Sequence, residues 1–232
     1  MIKSLLVLFL MVFMFTVNAN ETWKVASLNW QPYADSSVAN QGTSIEKLRV
    51  LLKKQGITLV VEFYPWKRAK LLAATNTDFV GVYPAWSEDV FDNAIISPAV
   101  DWSTISILKF TKKPVTYDSI DQLFEKYTVG IIESYTYPKV IADAINKYPH
   151  HVENASNELS LLKKLSVGRS DVAITDPKVM LYLADKENIA NIEIVAELMK
   201  KELVLAFRND KENRKRLKLI SKLIKDNSLT PQ

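Results

Sequence analysis

The strongest constraint on the fold of this chain is a local grammar that it uses twice: short runs rich in β-branched and aromatic residues alternate with stretches whose apolar residues recur at helical spacing. Trp23 to Asn29 reads as a strand. Thr43-x-x-Glu46 has the form of a capping box, opening a helix with Ile45, Leu48, Leu51 and Leu52 on one side. Gly56 ends that helix, and Thr58 to Tyr64 follows as a second strand. Pro65 suits the first turn of a short helix reaching about Ala74, and Asp78 to Tyr83 is a third strand. A β-α-β-α-β order calls for a parallel sheet covered by crossover helices.

The grammar then repeats. Ser119-x-x-Gln122 caps a short helix, Thr128 to Ile132 is a strand, and Pro138 to Lys147 and Asn157 to Val167 are helices, the latter closed by Gly168. Asp171 to Thr175 is a strand, and Asp176-Pro177 starts another helix. Between the blocks lies the apolar β-branched run Thr104 to Phe110, and after the second block a similar one, Leu203 to Phe207. These read as two strands crossing between two α/β lobes. One lobe takes residues 20–103 and 204–232, the other 104–203, and the carboxyl-terminal helix returns to the first lobe. No solenoid repeat and no low-complexity linker interrupts the pattern.

The amino terminus has a different character. Lys3, an apolar run from Leu5 to Val17, and Val17-Asn18-Ala19 before Asn20-Glu21 describe a cleaved signal peptide over residues 1–19. The apolar run is shorter than the about 20 residues that span a bilayer. Export to the periplasm is therefore expected. The remaining chain is long enough for two small lobes with their own cores, and it holds no cysteine, so packing alone must stabilise it.

With 30 basic and 26 acidic residues in the whole chain the charge is only mildly positive. The densest basic run, Lys211 to Lys225, places Leu217, Ile220 and Ile224 at helical spacing and is an amphipathic surface helix. With no continuous basic stripe interleaved with aromatics, nucleic acid is not an expected partner. His150 and His151 are adjacent, without partners at ligand spacing, so no metal site is expected. Neither a cysteine nucleophile, a glycine-rich phosphate loop nor a Gly-x-Ser-x-Gly elbow occurs, and no cofactor is implied.

Five segments carry a resemblance. Asn29-Trp30-Gln31-Pro32-Tyr33, the Gly42-x-x-x-Glu46 helix opening, Pro65-Trp66-Lys67-Arg68-Ala69, Ser97-Pro98 before a crossing strand, and the run Val167 to Asp176 stand in order and spacing along the chain. Together they resemble bacterial extracellular solute-binding proteins of family 3. That resemblance implies a type II periplasmic-binding-protein fold, an α/β architecture with two lobes, two hinge strands and a ligand cleft at the carboxyl ends of strands. Open α/β sheets bind ligands at that location in general. It further implies a non-enzymatic, monomeric protein that closes on a small polar solute and presents it to an ABC permease or a membrane sensor.

Residues at those strand ends are the candidates for the cleft. Trp30 and Tyr33 follow the first strand and offer flat apolar faces with polar tips; the competing role is a plug for the lobe. Trp66 and Arg68 open the next helix, where Arg68 has the shape to clamp a carboxylate or phosphate. Tyr83, Trp86 and Ser87 follow the third strand. In the second lobe Ser134, Tyr135 and Thr136 precede a helix amino end, which favours anions. Asp176 matches the family carboxylate that receives a substrate ammonium, and is equally suited to cap the helix at Pro177.

One departure from the family matters. Its amino-acid binders carry an arginine after the third strand that pairs with the substrate carboxylate, whereas Trp86-Ser87-Glu88-Asp89-Val90-Phe91-Asp92 is acidic and has none. Leaving a buried carboxylate without its charged partner costs about 3–5 kcal/mol. Tight binding of ordinary α-amino acids is therefore not expected unless Arg68 compensates, and a neutral or cationic polar ligand is favoured. Some proteins of this fold are dehydratases using a cleft carboxylate, for which Glu133 and Asp176 are the candidates here. The signal-peptide reading is checked by intact mass: protein isolated from the cell envelope should begin within a few residues of Asn20, and mass retaining residues 1–19 would overturn it.

Overall fold

The computed structural model describes residues 21–110 and 114–227; the expected signal peptide, residues 1–19, lies outside them. The first block forms β1 (Thr22–Ser27), α1 (Thr43–Lys53), β2 (Thr58–Phe63), α2 (Trp66–Thr75) and β3 (Gly81–Ala85). As the β-α-β-α-β order demands, β1 lies between β2 and β3 and is parallel to both. After the short β4 (Ile95–Ile96), β5 (Asp101–Lys109) leads into the second block. This contains α3 (Ile120–Lys126), β6 (Val129–Ile132), α4 (Lys139–Lys147), β7 (Val152–Ala155), α5 (Glu158–Ser166), β8 (Val172–Thr175) and α6 (Pro177–Lys186), and here β6 is parallel to β7 and β8. The chain ends its described part with β9 (Glu193–Phe207) and α7 (Lys211–Asp226).

Strand order along the curled sheet is β2-β1-β3-β9-β5-β8-β6-β7, with β4 also on β9. Two strands make the crossing. β9 runs antiparallel to β5 from Glu193 to Leu203, then continues beside β3 and β4 as far as Phe207. It is far longer than the Leu203 to Phe207 run that stands out in the sequence. Only those last five residues are buried; the preceding stretch is mostly exposed or half-buried and so lacks an apolar signature. Two register shifts, at Ile105/Ser106 and Ile107/Leu108, bend the β5–β9 pair as it passes between lobes. The short β4 and β7 carry too few residues to show a period of two.

The helix starts show which local signals governed. Ser119 and Asn157 are amino-terminal caps whose side chains accept from the N–H groups of Gln122 and Ser160 at 3.2 and 2.9 Å. The Thr43–Glu46 capping box does not form. Gly42 is the cap residue, and the first N–H groups of α1 are satisfied by backbone: Thr43 N–H donates to Pro32 O at 2.9 Å and Ser44 N–H to Tyr33 O at 3.0 Å. Glu46 is left to pair with Arg49 at 2.7 Å. Helix α1 is thereby stitched to the loop after β1.

Three apolar clusters among the described residues stabilise the fold. Trp23, Ile45, Leu48, Leu52, Tyr83, Phe207 and Ile220 fill the space between the first lobe's sheet and helices α1 and α7. Leu108, Ile132, Leu161, Leu162, Ala173 and Met180 do the same beneath α5 and α6 in the second. The third cluster belongs to both lobes. It joins Ala69, Ala73 and Val82 of the first to Leu123, Phe124, Ile141 and Ile174 of the second through a band of aromatic side chains.

Gly42 is where the fold tolerates no side chain. Its φ of 104° and ψ of 162° are in a region essentially restricted to glycine, and a Cβ there would lie 2.5 Å from Tyr33 O. Gly42→Ala is expected to cost about 2–4 kcal/mol from strain and crowding together. At the scale of this chain that lowers the melting temperature by roughly 5–15 °C; a thermal melt unchanged within 2 °C would show the loop contact to be dispensable.

Candidate functional site

The carboxyl ends of the parallel strands from both lobes face one another, and the residues just beyond them meet. After β1 the chain turns tightly, with Trp30 N–H to Ala34 O at 2.7 Å and the reverse bond at 3.0 Å. This turn stacks Trp30 on Tyr33, their ring centroids 4.6 Å apart. From the opposite lobe comes Asp176, the residue following β8 and the cap of α6. Its Oδ1 accepts from the N–H groups of Lys178 and Val179 at 2.8 and 3.1 Å. Its Oδ2 accepts from Thr104 N–H on crossing strand β5 at 3.1 Å and from the Tyr33 hydroxyl at 3.0 Å. Four donors saturate this buried carboxylate. Burial nevertheless holds its pKa above the usual range against the pull of those donors.

A second set of links lies alongside. The Trp66 indole N–H, at the start of α2, donates to Asp89 Oδ2 at 2.7 Å, and Lys70 Nζ sits 2.5 Å from Asp89 Oδ1 and 3.4 Å from Ser134 O in the other lobe. Backbone N–H of Thr136 also supports Asp89, whose burial raises its pKa against the opposing effect of Lys70. Trp86 donates from its indole to Ser103 Oγ at 2.9 Å and packs edge-on against Trp30 and Tyr135, with centroids 6.0 and 5.6 Å away. Tyr137 ties the second lobe's strands where they diverge. β6 and β8 pair only at Val129 and Gly130, and beyond that the Tyr137 hydroxyl accepts from Ile132 N–H at 2.9 Å and donates to Ile174 O at 3.3 Å.

Glu158, the first residue of α5, completes the site. It is 4% exposed, and its carboxylate accepts from the Tyr135 hydroxyl. Burial pushes its pKa up to about 7; the Tyr135 bond opposes that, Asp176 reinforces it, and the Trp30 indole N–H, which has no acceptor in bonding geometry among the described residues, opposes it weakly. Two spaces adjoin these residues. A chamber of about 20 Å³ between Trp30, Trp66, Trp86, Asp89 and Tyr135 has room for one water. Beside it a groove of about 390 Å³ runs between Phe63, Tyr64 and Trp66 on one lobe and Ile132, Tyr135 and Glu158 on the other, a size suited to a small molecule.

Of the residues singled out in the sequence, Trp30, Tyr33, Trp66, Trp86, Ser134, Tyr135 and Asp176 converge here. Tyr83 does not. Alternation along β3 turns it to the opposite face of the sheet, where it is fully buried among the first lobe's core residues and its hydroxyl reaches Ser44 O at 3.2 Å. Arg68 does not either: Trp66, Ala69 and Ala73 are the buried face of α2, so Arg68 is exposed, with its guanidinium 5.3 Å from the Tyr64 ring centroid. Glu133 is also exposed. Sequence reasoning missed Lys70, Glu158 and the pairing of Asp89. Lys70 follows Trp66 by four residues and so shares its helix face, a legible signal; nothing local marks Glu158 as buried.

No protein-family model and no curated protein matches the sequence. Solved structures do match over nearly the whole chain. An ancestral arginine-binding protein bound to arginine superimposes with a TM-score of 0.72 at 16% identity, covering 90% of this chain and 93% of its own. A histidine kinase sensor domain with similarity to periplasmic binding proteins gives 0.70 at 14%, covering 90% and 92%. An ancestral amino acid-binding protein described as a precursor of cyclohexadienyl dehydratase gives 0.67 at 17%, covering 89% of each. The chain has the type II periplasmic-binding-protein fold, two α/β lobes joined by two hinge strands with a cleft between them.

Because folding raises the pKa of Glu158 from 4.5 to about 7, the native state binds the extra proton in that interval. The corresponding stability is complete below about pH 4.5 and is lost as pH rises towards 7, by about 3 kcal/mol. Glu158→Gln should flatten this part of the profile: its melting temperature is expected to fall less between pH 5 and pH 8 than that of the parent. Parallel profiles would place Glu158 in water.

Proposed function

We propose that this protein is a periplasmic solute-binding protein that captures a small polar solute by hinge closure. The observation that carries this reading is the origin of the cleft contacts: Tyr33 with Asp176, Lys70 with Ser134, and Trp86 with Tyr135 each join one lobe to the other. A solute that touches both walls favours the state in which those walls are together. The aromatic band supplies apolar area, and the β5–β9 pair is the element that bends. Lobe boundaries at 20–103 with 204–232, and at 104–203, fit this motion. Likeness to an ABC-transporter substrate-binding protein (TM-score 0.66) and to the kinase sensor domain supports a membrane permease or sensor as the partner of the loaded form. Among the described residues no helix is long and apolar enough to cross a membrane.

A second reading has one specific observation in its favour. Glu158 combines near-complete burial with a pKa of about 7, the range in which a carboxyl group exchanges protons efficiently, and one structural neighbour is named as a dehydratase precursor. Recovering the solute unchanged after prolonged incubation separates binding from turnover.

The test is a thermal-shift screen of small polar metabolites on the mature protein, followed by tryptophan fluorescence. A ligand at 100 times its dissociation constant adds about 2.7 kcal/mol of stability. A confirmed ligand should change the emission, since Trp30, Trp66 and Trp86 all line the inner chamber. Trp66→Ala is expected to weaken it roughly 10- to 100-fold by removing a groove wall. Unchanged emission together with normal binding by this variant would place the site elsewhere.

A further inference from the structure

Ionised groups around the cleft are nearly all matched. Asp89 has Lys70 at 2.5 Å, Glu88 has Lys201 at 2.5 Å, Asp101 has Lys47, and Asp176 has its four donors. Glu88 and Asp89, which follow β3, are therefore held by the protein's own lysines. Glu158 differs: it lines the groove from the start of α5, has no ion pair among the described residues, and accepts from one uncharged side-chain donor, the Tyr135 hydroxyl. The Trp30 indole N–H, buried and without an acceptor in bonding geometry among the described residues, acts on the same carboxylate. A carboxylate can take about four hydrogen bonds, so Glu158 retains capacity for an incoming donor.

We infer that the groove selects a primary amine without an α-carboxylate, its ammonium group bound by Glu158 and its hydrocarbon body lying against Tyr64, Trp66 and Tyr135. This rests on the solute-binding reading and names its ligand class. Glu158 is the one acid among the groove's described lining residues and Lys67 the one base. Lys67 is exposed on the opposite lobe, where solvent and salt screen it, whereas buried Glu158 acts at low dielectric. An amino acid bound to Glu158 through its α-ammonium would bring its α-carboxylate beside Glu158 and be repelled. Arg68, the other cation near Tyr64, is exposed, and the ammonium of Lys70 is held by Asp89. Since ionised Glu158 is the form that binds, amine affinity rises with pH through about 7.

Calorimetric titration of the mature protein at pH 6 and pH 8 tests this with matched pairs: putrescine against ornithine, agmatine against arginine, phenethylamine against phenylalanine. At least one amine is expected to bind 30-fold or more tighter than its amino acid, with an affinity about tenfold lower at pH 6 than at pH 8. Glu158→Gln should lose at least 30-fold and the pH dependence; should that variant not fold, the pH dependence of the parent decides alone. An amino acid that binds as tightly as its amine, or amine binding that is flat in pH, overturns the assignment. If no amine binds while another metabolite in the thermal screen does, the ligand class is wrong and the solute-binding reading stands. If nothing in the screen stabilises the protein, both fall.

Discussion

Much of this structure hangs on one buried carboxylate. Asp176 closes the amino end of α6, accepts from the backbone of crossing strand β5 and accepts from Tyr33 of the opposite lobe. Hydrogen bonds to a charged group contribute about 1.5–3 kcal/mol each, and leaving their donors buried and unpaired costs a similar amount. One side chain thus couples helix placement, the crossing strand and lobe contact, so that moving the lobes apart exchanges a defined hydrogen bond for solvent. The loop that delivers Tyr33 is fixed in turn by Gly42, whose lack of a side chain lets the start of α1 close onto the Tyr33 carbonyl.

Around that link the lobes meet through rings. Trp30, Tyr33, Trp66 and Trp86 on one side and Tyr135 and Tyr137 on the other form one continuous cluster, each polar tip but the Trp30 indole having a hydrogen-bond partner. Large rings with polar tips suit a surface that packs tightly while keeping its few polar atoms hydrogen-bonded. The divergence of β6 from β8 makes the space these rings occupy, and the Tyr137 hydroxyl replaces the ladder bonds lost there.

Electrostatics inside the cleft follow from pairing rather than from composition. The run Glu88-Asp89 reads as an acidic wall in the sequence, yet its charges are neutralised by Lys201 and Lys70. The groove acid without an ion pair among the described residues is Glu158, a helix-opening residue that resembles any solvated glutamate until α5 is set against the groove.

Legible in the amino-acid sequence alone were the two β/α blocks, the two crossing strands, the caps at Ser119 and Asp176, and most of the aromatic residues that meet between the lobes. Each of these rests on local chemistry: period, capping groups, and the position of a residue just past a strand. Folding settles that Tyr83 faces the core, that Arg68 faces solvent while Lys70 faces the cleft, that Thr43 yields its cap to Gly42, and that β9 begins at Glu193. Those outcomes depend on which face of an element meets which neighbour, and on partners 11 to more than 60 residues away supplying the hydrogen bonds. Burial of Glu158 is of the same kind. The pKa of Glu158 is raised first by that burial and further by Asp176, against the opposing hydrogen bond from Tyr135 and the weaker pull of Trp30, and these groups are gathered from both lobes.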